Sequence, residues 1–288
     1  MAPFSIQRIA IVGLGLIGAS LLQALKQSPI ARSRAIRFQG YDPAFDRDDI
    51  GRITQLGLDR FEEDQHKLYQ ADLVILAAPV TTNIALLDDV VQWAPPGTLV
   101  TDVSSTKQAI ADKAAELGLN FIGMHPLAGS EQQGYSASRE ELFENKPLII
   151  CAENRTISTQ AARDLLDLME SLRCAITVMS PEEHDRIVAS ISHLPQLLST
   201  TLINHCGRNL DTSGPGFATL TRLAASPWNI WRDIISTNGT HIAAELRSFS
   251  RELEILADDV EQGSLQSIDE RFRRANKLYS TLNRRTST

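Results

Sequence analysis

From residue 8 to about residue 179, short apolar runs alternate with segments whose apolar residues recur at helical spacing. The runs are RIAIVG, AIRFQGYD, ADLVILAAP, TLVTDV, LNFIGM, PLIICA and AITVM. They lack polar–apolar alternation, which is typical of strands buried on both faces of a parallel sheet with helical crossovers. We therefore expect residues 1–179 to form an α/β domain with a Rossmann-type doubly wound sheet.

The pattern changes at residue 180, and the chain beyond it contains no convincing strand. Ser180 is a capping residue, Pro181 suits the first helical position, and Glu183 stands at the third. Apolar residues between Ile242 and Val260 recur at alternating steps of four and three, the spacing of a coiled-coil seam. We expect residues 180–288 to form an all-α dimerisation domain and the protein to be a homodimer. A helix packed within its own domain would show the same pattern.

Composition narrows the class of protein. The 288 residues carry a net charge of −7, which argues against nucleic acid as a partner. Cys151, Cys174 and Cys206 form no C-x-x-C motif, so we expect reduced thiols and no metal site. The chain has no signal-peptide pattern and no apolar run long enough to span a bilayer, so we expect a cytoplasmic protein that does not contact membranes.

A glycine motif comes directly after the first apolar run. The segment IAIVGLGLIG places Gly13, Gly15 and Gly18 in a G-x-G-x-x-G pattern between a strand and a helix. The first glycine permits a tight turn, the second allows close approach of a pyrophosphate, and the third allows the helix to pack on the strand. With Leu16 and Ile17 at the helix N-terminus, the motif predicts a dinucleotide-binding loop.

An acidic residue ends the next predicted strand. Asp42, about 24 residues past Gly18, is placed to accept hydrogen bonds from a ribose diol and to repel a 2′-phosphate, which favours NAD over NADP. An ordinary turn aspartate is the alternative interpretation. Ala78, Pro79 and Ser104 lie at later strand ends, and we expect them to line the same cofactor site.

The segment FIGMHPLAGSEQQG places one histidine directly after a predicted strand. His125 would then lie beside the nicotinamide, where a neutral imidazole suits removal of a hydroxyl proton near neutral pH. Ser105, at the neighbouring strand end, is placed to orient the imidazole by a hydrogen bond. The alternative is a structural loop histidine.

Several motifs together resemble those of the prephenate/arogenate dehydrogenase family of tyrosine biosynthesis. They are VGLGLIG, TDVSSTK, GMHPLAGSE, the pair EEHDR and SISHLP, and GFATLTRLAASPWNIWRDI, in family order over nearly the whole chain. The resemblance implies an NAD-dependent oxidative decarboxylation of prephenate. By resemblance, His125 is the catalytic histidine, Ser105 supports it, and Arg222 holds a substrate carboxylate.

The resemblance also implies further substrate contacts. His193 matches the S-H-L-P helix that lines the pocket, and Glu131 matches an acidic residue at its rim, beside Ser130. Gln196 lies about one helical turn after His193 and is expected to contact substrate. His184, nine residues before His193, would face the opposite way on a straight helix, so we expect a structural or interface role for it.

Three alternatives remain open at this point. The same chemistry on arogenate would give tyrosine directly, and Glu131 could pair with the ammonium group of that substrate. A reductase of the β-hydroxyacid or pyrroline-carboxylate type shares the domain layout, but it does not need the H-P-L-A-G and S-H-L-P elements. A regulator that binds NAD without turnover would not need His125 or Arg222.

Overall fold

A computed structural model describes residues 5–128, 132, 134–152 and 154–286. Within these residues, eight strands form one sheet in the order β3-β2-β1-β4-β5-β6-β7-β8. The strands are β1 Arg8–Val12, β2 Arg37–Tyr41, β3 Arg60–Phe61, β4 Leu73–Leu76, β5 Leu99–Asp102, β6 Asn120–Pro126, β7 Pro147–Cys151 and β8 Ala175–Met179.

The strand order confirms the predicted Rossmann-type fold. The chain runs outward from β1 to β3 and then resumes at β4 on the other side of β1, so that the direction of winding reverses between β1 and β4. Ligands of such sheets bind at that reversal, beyond the carboxyl ends of the strands. The predicted seven strands are all present, and only β3, which is two residues long, was missed.

One pairing departs from the expected parallel sheet. β7 runs antiparallel to β6, with His125 opposite Ile149, whereas the other neighbouring pairs are parallel. An antiparallel neighbour begins at the edge where the previous strand ends, so no helical crossover is required. The connection from residue 127 to residue 146 therefore begins and ends at the carboxyl edge of the sheet.

The sheet is apolar on both faces, as the continuous apolar runs predict. In β1, Ile9 and Ile11 belong to one buried cluster, whereas Ala10 and Val12 belong to another. Each cluster is completed by flanking helices: α1 Leu16–Gln27, α2 Pro29–Arg34, α3 Arg47–Gln55, α4 Gln65–Leu68, α5 Val80–Trp93, α6 Gln108–Glu116, α7 Asn154–Ile157 and α8 Gln160–Ser171. Burial on both faces explains the continuous apolar runs of the inner strands. The edge strand β8 is the exception, because it is largely exposed although its run predicted burial.

The described chain after residue 180 is helical. A helix begins at Pro181, where Ser180 Oγ accepts a hydrogen bond of 3.1 Å from Glu183 N. The helices are α9 Pro181–Val188, α10 Leu194–His205, α11 Pro215–Thr221, α12 Trp228–Glu261 and α13 Leu265–Thr286, with a π-helical turn over Ala189–His193 and a 3₁₀ turn over Arg222–Ala225. No described helix is both long and apolar enough to cross a membrane.

The chain divides into two compact units, Met1–Gly239 and Thr240–Thr288. Asn238, just before the division, has a non-helical backbone (φ −130°, ψ 21°) inside α12. The second unit contains the end of α12 and all of α13. In it, Arg271 forms ion pairs with Glu252 and Asp259, at 3.3 and 3.2 Å.

Candidate active site

The three glycines of the G-x-G-x-x-G loop have the turn, the open space and the close packing that the sequence predicted for them. Gly13 has a φ of +92°, and a Cβ added there would lie 2.7 Å from the backbone of Ala77. A Cβ at Gly18 would lie 2.0 Å from the carbonyl oxygen of Gly13, so helix α1 packs directly on the loop. At Gly15 a Cβ would meet nothing within 4 Å, which leaves open space where a phosphate would approach.

The first turn of α1 offers unpaired donors. Gly15 caps this helix without a side-chain hydrogen bond, and no acidic residue lies in the first turn. Its N–H groups therefore present partial positive charge to the open space at Gly15. The predicted residues Leu16 and Ile17 stand at this helix start, where the backbone can bind an anion.

Asp42 lies directly after β2 and is fixed by two backbone groups. Its Oδ2 accepts a hydrogen bond from Leu14 N at 2.8 Å, and its Oδ1 accepts one from Ala44 N at 3.0 Å. The carboxylate is thus tied to the glycine loop itself. Because a carboxylate can accept about four hydrogen bonds, both oxygens keep capacity for a ribose diol.

Beside this loop lies a cavity of about 360 Å³, which we call the cofactor cleft. Asp42 lines it, as do Ala78 and Pro79, which were predicted from their strand-end position. Its remaining walls are mostly apolar and suit the flat face of a base; they include Tyr41, Leu68, Tyr69 and Leu86.

Ser104 lies in a buried polar network. Its Oγ accepts a hydrogen bond of 2.9 Å from Asn83 Nδ2, and Asn83 Oδ1 accepts one of 3.1 Å from Ala78 N. Asn83 therefore joins the two strand ends predicted to line the cofactor site. It was missed from the sequence, although a fully buried amide on the apolar helix α5 is the kind of residue that signals such a network.

His125 lies near the end of β6 and is 9 % exposed. Its Nδ1 is 2.8 Å from His184 Nε2, and the ring planes meet at 67°. Burial, and to a smaller extent the nearby His184, Lys107 and His193, lowers the pKa of His125 well below its ordinary value. We call His125, His184 and His193 the histidine cluster.

The expected hydrogen bond from Ser105 to His125 is absent from the described contacts. The hydrogen-bond partner of His125 Nδ1 is instead His184 Nε2. Ser105 lies in the loop after β5 and is partly exposed. The sequence could place Ser105 on the neighbouring strand end but could not show that a residue 59 positions from His125 reaches its ring nitrogen.

The expectation that His184 and His193 face opposite ways was wrong. A π-helical turn, Ala189–His193, separates them, and Pro195 lies at the start of α10. A π turn inserts one extra residue, which rotates the subsequent residues by about 100° relative to a straight helix. Both imidazoles consequently lie close enough to His125 to lower its pKa.

His184 is held by the next residue along the chain. Its Nδ1 is 2.8 Å from Asp185 Oδ1, and both residues are fully buried. The carboxylate of Asp185 also accepts hydrogen bonds from Lys107 N at 2.7 Å and Gln108 N at 2.9 Å, at the N-terminus of α6. Asp185 was missed, although the sequence places it directly after His184.

His193 is 1 % exposed, and burial lowers its pKa to about 4. Its Nδ1 lies 3.3 Å from Asn238 Nδ2, and its ring packs edge-on against Trp231 at 5.7 Å between centroids. An amide nitrogen can only donate, so Nδ1 is the acceptor and the proton of this neutral imidazole lies on Nε2.

Arg222 begins the 3₁₀ turn Arg222–Ala225 and is exposed. Gln196, expected to contact substrate, instead has both ends of its amide engaged with this turn and the residue after it. Its Nε2 donates to Leu223 O at 2.7 Å, and its Oε1 accepts from Ser226 Oγ at 3.1 Å. Gln196 thus fixes the segment that carries Arg222. Glu131 and Ser130 lie outside the described residues.

Comparisons with known proteins agree with this architecture. Residues 31–178 match the family model "Prephenate dehydrogenase, nucleotide-binding domain", and residues 180–274 match "Prephenate dehydrogenase, dimerization domain". The chain is 32% identical to the prephenate dehydrogenase of Bacillus subtilis over 93% of this chain and 74% of that protein.

Two solved structures share the fold over almost the entire chain. One is prephenate dehydrogenase from A. aeolicus in complex with hydroxyphenyl propionate and NAD⁺, with 26% identity, a TM-score of 0.84 and coverage of 94% of this chain and 96% of that one. The other is Synechocystis arogenate dehydrogenase, with 28% identity, a TM-score of 0.81 and coverage of 93% and 97%.

Proposed function

The chain belongs to the prephenate dehydrogenase family, and we propose that it catalyses the NAD-dependent oxidative decarboxylation of prephenate to 4-hydroxyphenylpyruvate. The observation that carries this proposal is the environment of His125. This buried, neutral imidazole lies at the carboxyl edge of a Rossmann-type sheet with Nδ1 occupied by His184, so that Nε2 is its nitrogen for a substrate.

The glycine loop and the cofactor cleft fit NAD. Gly13, Gly15 and the N-terminus of α1 would hold the pyrophosphate, because the space at Gly15 is open and the helix start lacks a side-chain cap. Asp42, which lines the cleft, would bind the adenosine ribose. When bound, NAD supplies the acceptor for a hydride from the alcohol carbon.

His125 handles the proton of the reaction. Its Nε2 takes the proton of the substrate hydroxyl as that carbon loses a hydride. The carboxylate on the ring then leaves as CO₂, and its bonding electrons make the ring aromatic with a phenolate oxygen. His125 returns the proton to that oxygen, so the overall reaction releases no net proton. Holding the substrate in place is the main requirement for the second step.

Arg222 and His193 are proposed to bind the substrate. The guanidinium of Arg222 suits bidentate binding of a carboxylate. Gln196 and Ser199 support this role indirectly, since each bonds a backbone or side-chain group of the 222–226 segment. His193 is neutral, with Asn238 at its Nδ1, and would donate its Nε2–H to substrate oxygen. For Ser105, Ser104, Glu131 and Ser130, the predicted contacts remain proposals from sequence.

Arogenate is the second candidate substrate. One similar structure is an arogenate dehydrogenase, and its level of identity to this chain matches that of the prephenate dehydrogenase structure. The two substrates differ only in an amino group in place of a keto group, away from the carbon that is oxidised. The chemistry assigned to His125 would serve both.

A turnover assay with each substrate and each cofactor tests this proposal. With prephenate and NAD, NADH and 4-hydroxyphenylpyruvate should form in equal amounts; tyrosine should form if arogenate is accepted. The His125→Asn variant serves as the control for contaminating activity. Absence of NADH formation with both substrates would contradict the proposal.

We also propose a homodimer that is formed by the helices after residue 180. The family model over 180–274 is a dimerization domain, and its start supports a domain boundary near residue 180. In the second compact unit, α12 and α13 expose large apolar side chains, including Leu253, Val260, Phe272, Leu278 and Tyr279. Large apolar side chains exposed on the helices of a dimerization domain are candidates for a protein–protein interface. Sedimentation as a monomer at micromolar concentration would contradict this.

A further inference from the structure

A buried carboxylate and a buried imidazole stand behind His125. Asp185 Oδ1 lies 2.8 Å from His184 Nδ1, and His184 Nε2 lies 2.8 Å from His125 Nδ1. Asp185 and His184 are both 0 % exposed, while His125 keeps 9 % exposure. The three side chains form a hydrogen-bonded series that runs from the interior to the one member that retains accessible surface.

The direction of these hydrogen bonds is set by Asp185. Two backbone N–H groups, from Lys107 and Gln108, donate to its carboxylate at the N-terminus of α6. Charge-assisted bonds to N–H groups and the positive end of a helix both favour an ionised carboxylate. An ionised carboxylate has no proton to donate, so His184 Nδ1 must be the donor.

If His184 and His125 are both neutral, the donor order at Asp185 also determines which nitrogen of each ring carries the proton. A neutral His184 with its proton on Nδ1 has a lone pair on Nε2, which accepts a hydrogen bond. His125 Nδ1 must therefore carry a proton and donate it, which leaves the lone pair of His125 on Nε2. The reverse arrangement, with a positively charged His184 donating to His125, would place the His125 proton on Nε2.

The surroundings disfavour that charged arrangement. Lys107 is fully buried and positively charged, and its Nζ pairs with Asp102 at 2.5 Å. His193 is neutral and bonded to Asn238. The negative charge of Asp185 is already stabilised by two backbone donors, so a positive charge on the fully buried His184 would lose its hydration and gain only a neutral imidazole as the acceptor of its second N–H.

We propose that His184 and Asp185 are positioning residues that fix the tautomer of His125 in which Nε2 carries the lone pair. This rests on the proposed function, in which His125 Nε2 removes the hydroxyl proton. The same pair orients the ring and stabilises the imidazolium that forms, because the positive charge on His125 is hydrogen-bonded to His184 and, through it, to a carboxylate. The sequence motif EEHD thus supplies both residues that act behind the catalytic histidine.

The test measures the tautomer directly. Protein labelled with ¹⁵N in its histidine rings gives two- and three-bond ¹H–¹⁵N correlations, and the His125 signals are assigned by their loss in His125→Asn. In the wild type, His125 should be protonated on Nδ1. In Asp185→Leu, His184 Nδ1 loses its acceptor, so the donor order is no longer fixed and at least part of the His125 population should carry its proton on Nε2.

Turnover should change with the tautomer. Asp185→Leu should lower kcat by roughly a hundredfold to ten-thousandfold while NAD binding stays unchanged. If Asp185→Leu fails to fold, the test uses a pair of variants at position 184. His184→Gln keeps an acceptor for His125 Nδ1 and should retain more activity and the wild-type tautomer, whereas His184→Phe has no acceptor and should lose both.

Two results would overturn the inference. One is a His125 proton on Nε2 in the wild type; the other is an unchanged tautomer and kcat in Asp185→Leu or His184→Phe. Either could occur while His125→Asn still abolishes prephenate turnover, which would leave the proposed function intact. Conversely, a protein that turned over neither substrate would contradict the proposed function while the ring signals still reported on the Asp185–His184 pair.

Discussion

The cofactor cleft and the histidine cluster lie at the same carboxyl edge of the sheet, but they are specified differently. The glycine loop is a contiguous segment in which each residue's role depends on its nearest backbone neighbours, as the close approach of Gly18 to Gly13 shows. The histidine cluster joins β6, α9 and the turn before α10. Local steric rules suffice for the first region, whereas the second depends on how distant elements meet.

The first prediction concerns the histidine cluster. Its burial should make the free energy of unfolding depend on pH. His193 has a pKa of about 4 in the folded protein because of burial, against about 6.5 when unfolded. The unfolded chain therefore binds more protons between these values, and stability is full above about pH 6.5 and falls toward pH 4. His193 contributes at most about 3 kcal/mol to this loss.

Urea unfolding of wild type and His193→Asn at several pH values measures this effect. The variant should be less stable at neutral pH but should lose less stability on acidification. The replacement of Glu182, an exposed acidic residue on α9, by Gln serves as a matched control that keeps the wild-type slope. Parallel curves for wild type and His193→Asn would show that His193 is not a buried neutral imidazole.

A second prediction is that Gly18 and Gly15 have different roles, the first in stability and the second in NAD binding. Gly18→Ala places a Cβ against the backbone of Gly13 and should reduce the free energy of unfolding by about 2 kcal/mol. Gly15→Ala meets open space and should leave stability unchanged, yet weaken NAD binding because the methyl group fills the space proposed for a phosphate. Thermal unfolding and NAD titration measure the two effects. Equal stability losses in both variants would contradict the geometry.

A third prediction concerns substrate binding. Arg222→Ala should raise KM for prephenate by roughly tenfold to thirtyfold and change kcat little, because the lost bond to a charged group is made with substrate and transition state alike. Gln196→Met keeps the shape of the side chain but releases the turn that carries Arg222, and should raise KM by a smaller factor. A change in kcat alone in the Gln196 variant would indicate direct contact with the reacting group.

The smallest effect is the choice of cofactor. Asp42 should favour NAD over NADP by at least about tenfold, roughly 1.4 kcal/mol, through repulsion of a 2′-phosphate. Asp42→Asn keeps the size of the side chain and removes the charge, so it should narrow that preference. Steady-state kinetics with both cofactors decide the matter. Equal use of NADP by the wild type would refute the assignment.

Most of the fold could be predicted because burial leaves a continuous apolar run in β1 and β4–β7. The edge strand β8 carries such a run although it is largely exposed. The antiparallel β7 could not, since an apolar run carries no information on its direction. In the site, the positions of His125 and Asp42 could be inferred from strand ends. That His193 lies near His125 together with His184 depended on a π turn just before Pro195, and the contact of Asn238 with His193 left no sequence signal at all.

The central claim is that His125 Nε2 moves the hydroxyl proton during oxidation. The most direct test is the pH dependence of kcat and of kcat/KM for prephenate with NAD, measured for wild type and His125→Asn over about pH 5 to 9. The wild-type kcat/KM should fall on the acid side as His125 becomes protonated. The midpoint should lie below the ordinary imidazole pKa, because burial lowers the pKa of His125 in the free enzyme.

His125→Asn should reduce kcat by roughly a hundredfold to ten-thousandfold and lack that acid limb, with a much smaller change in KM. Near-normal turnover of His125→Asn with the same acid limb would contradict the claim and leave His125 as a structural residue of the histidine cluster.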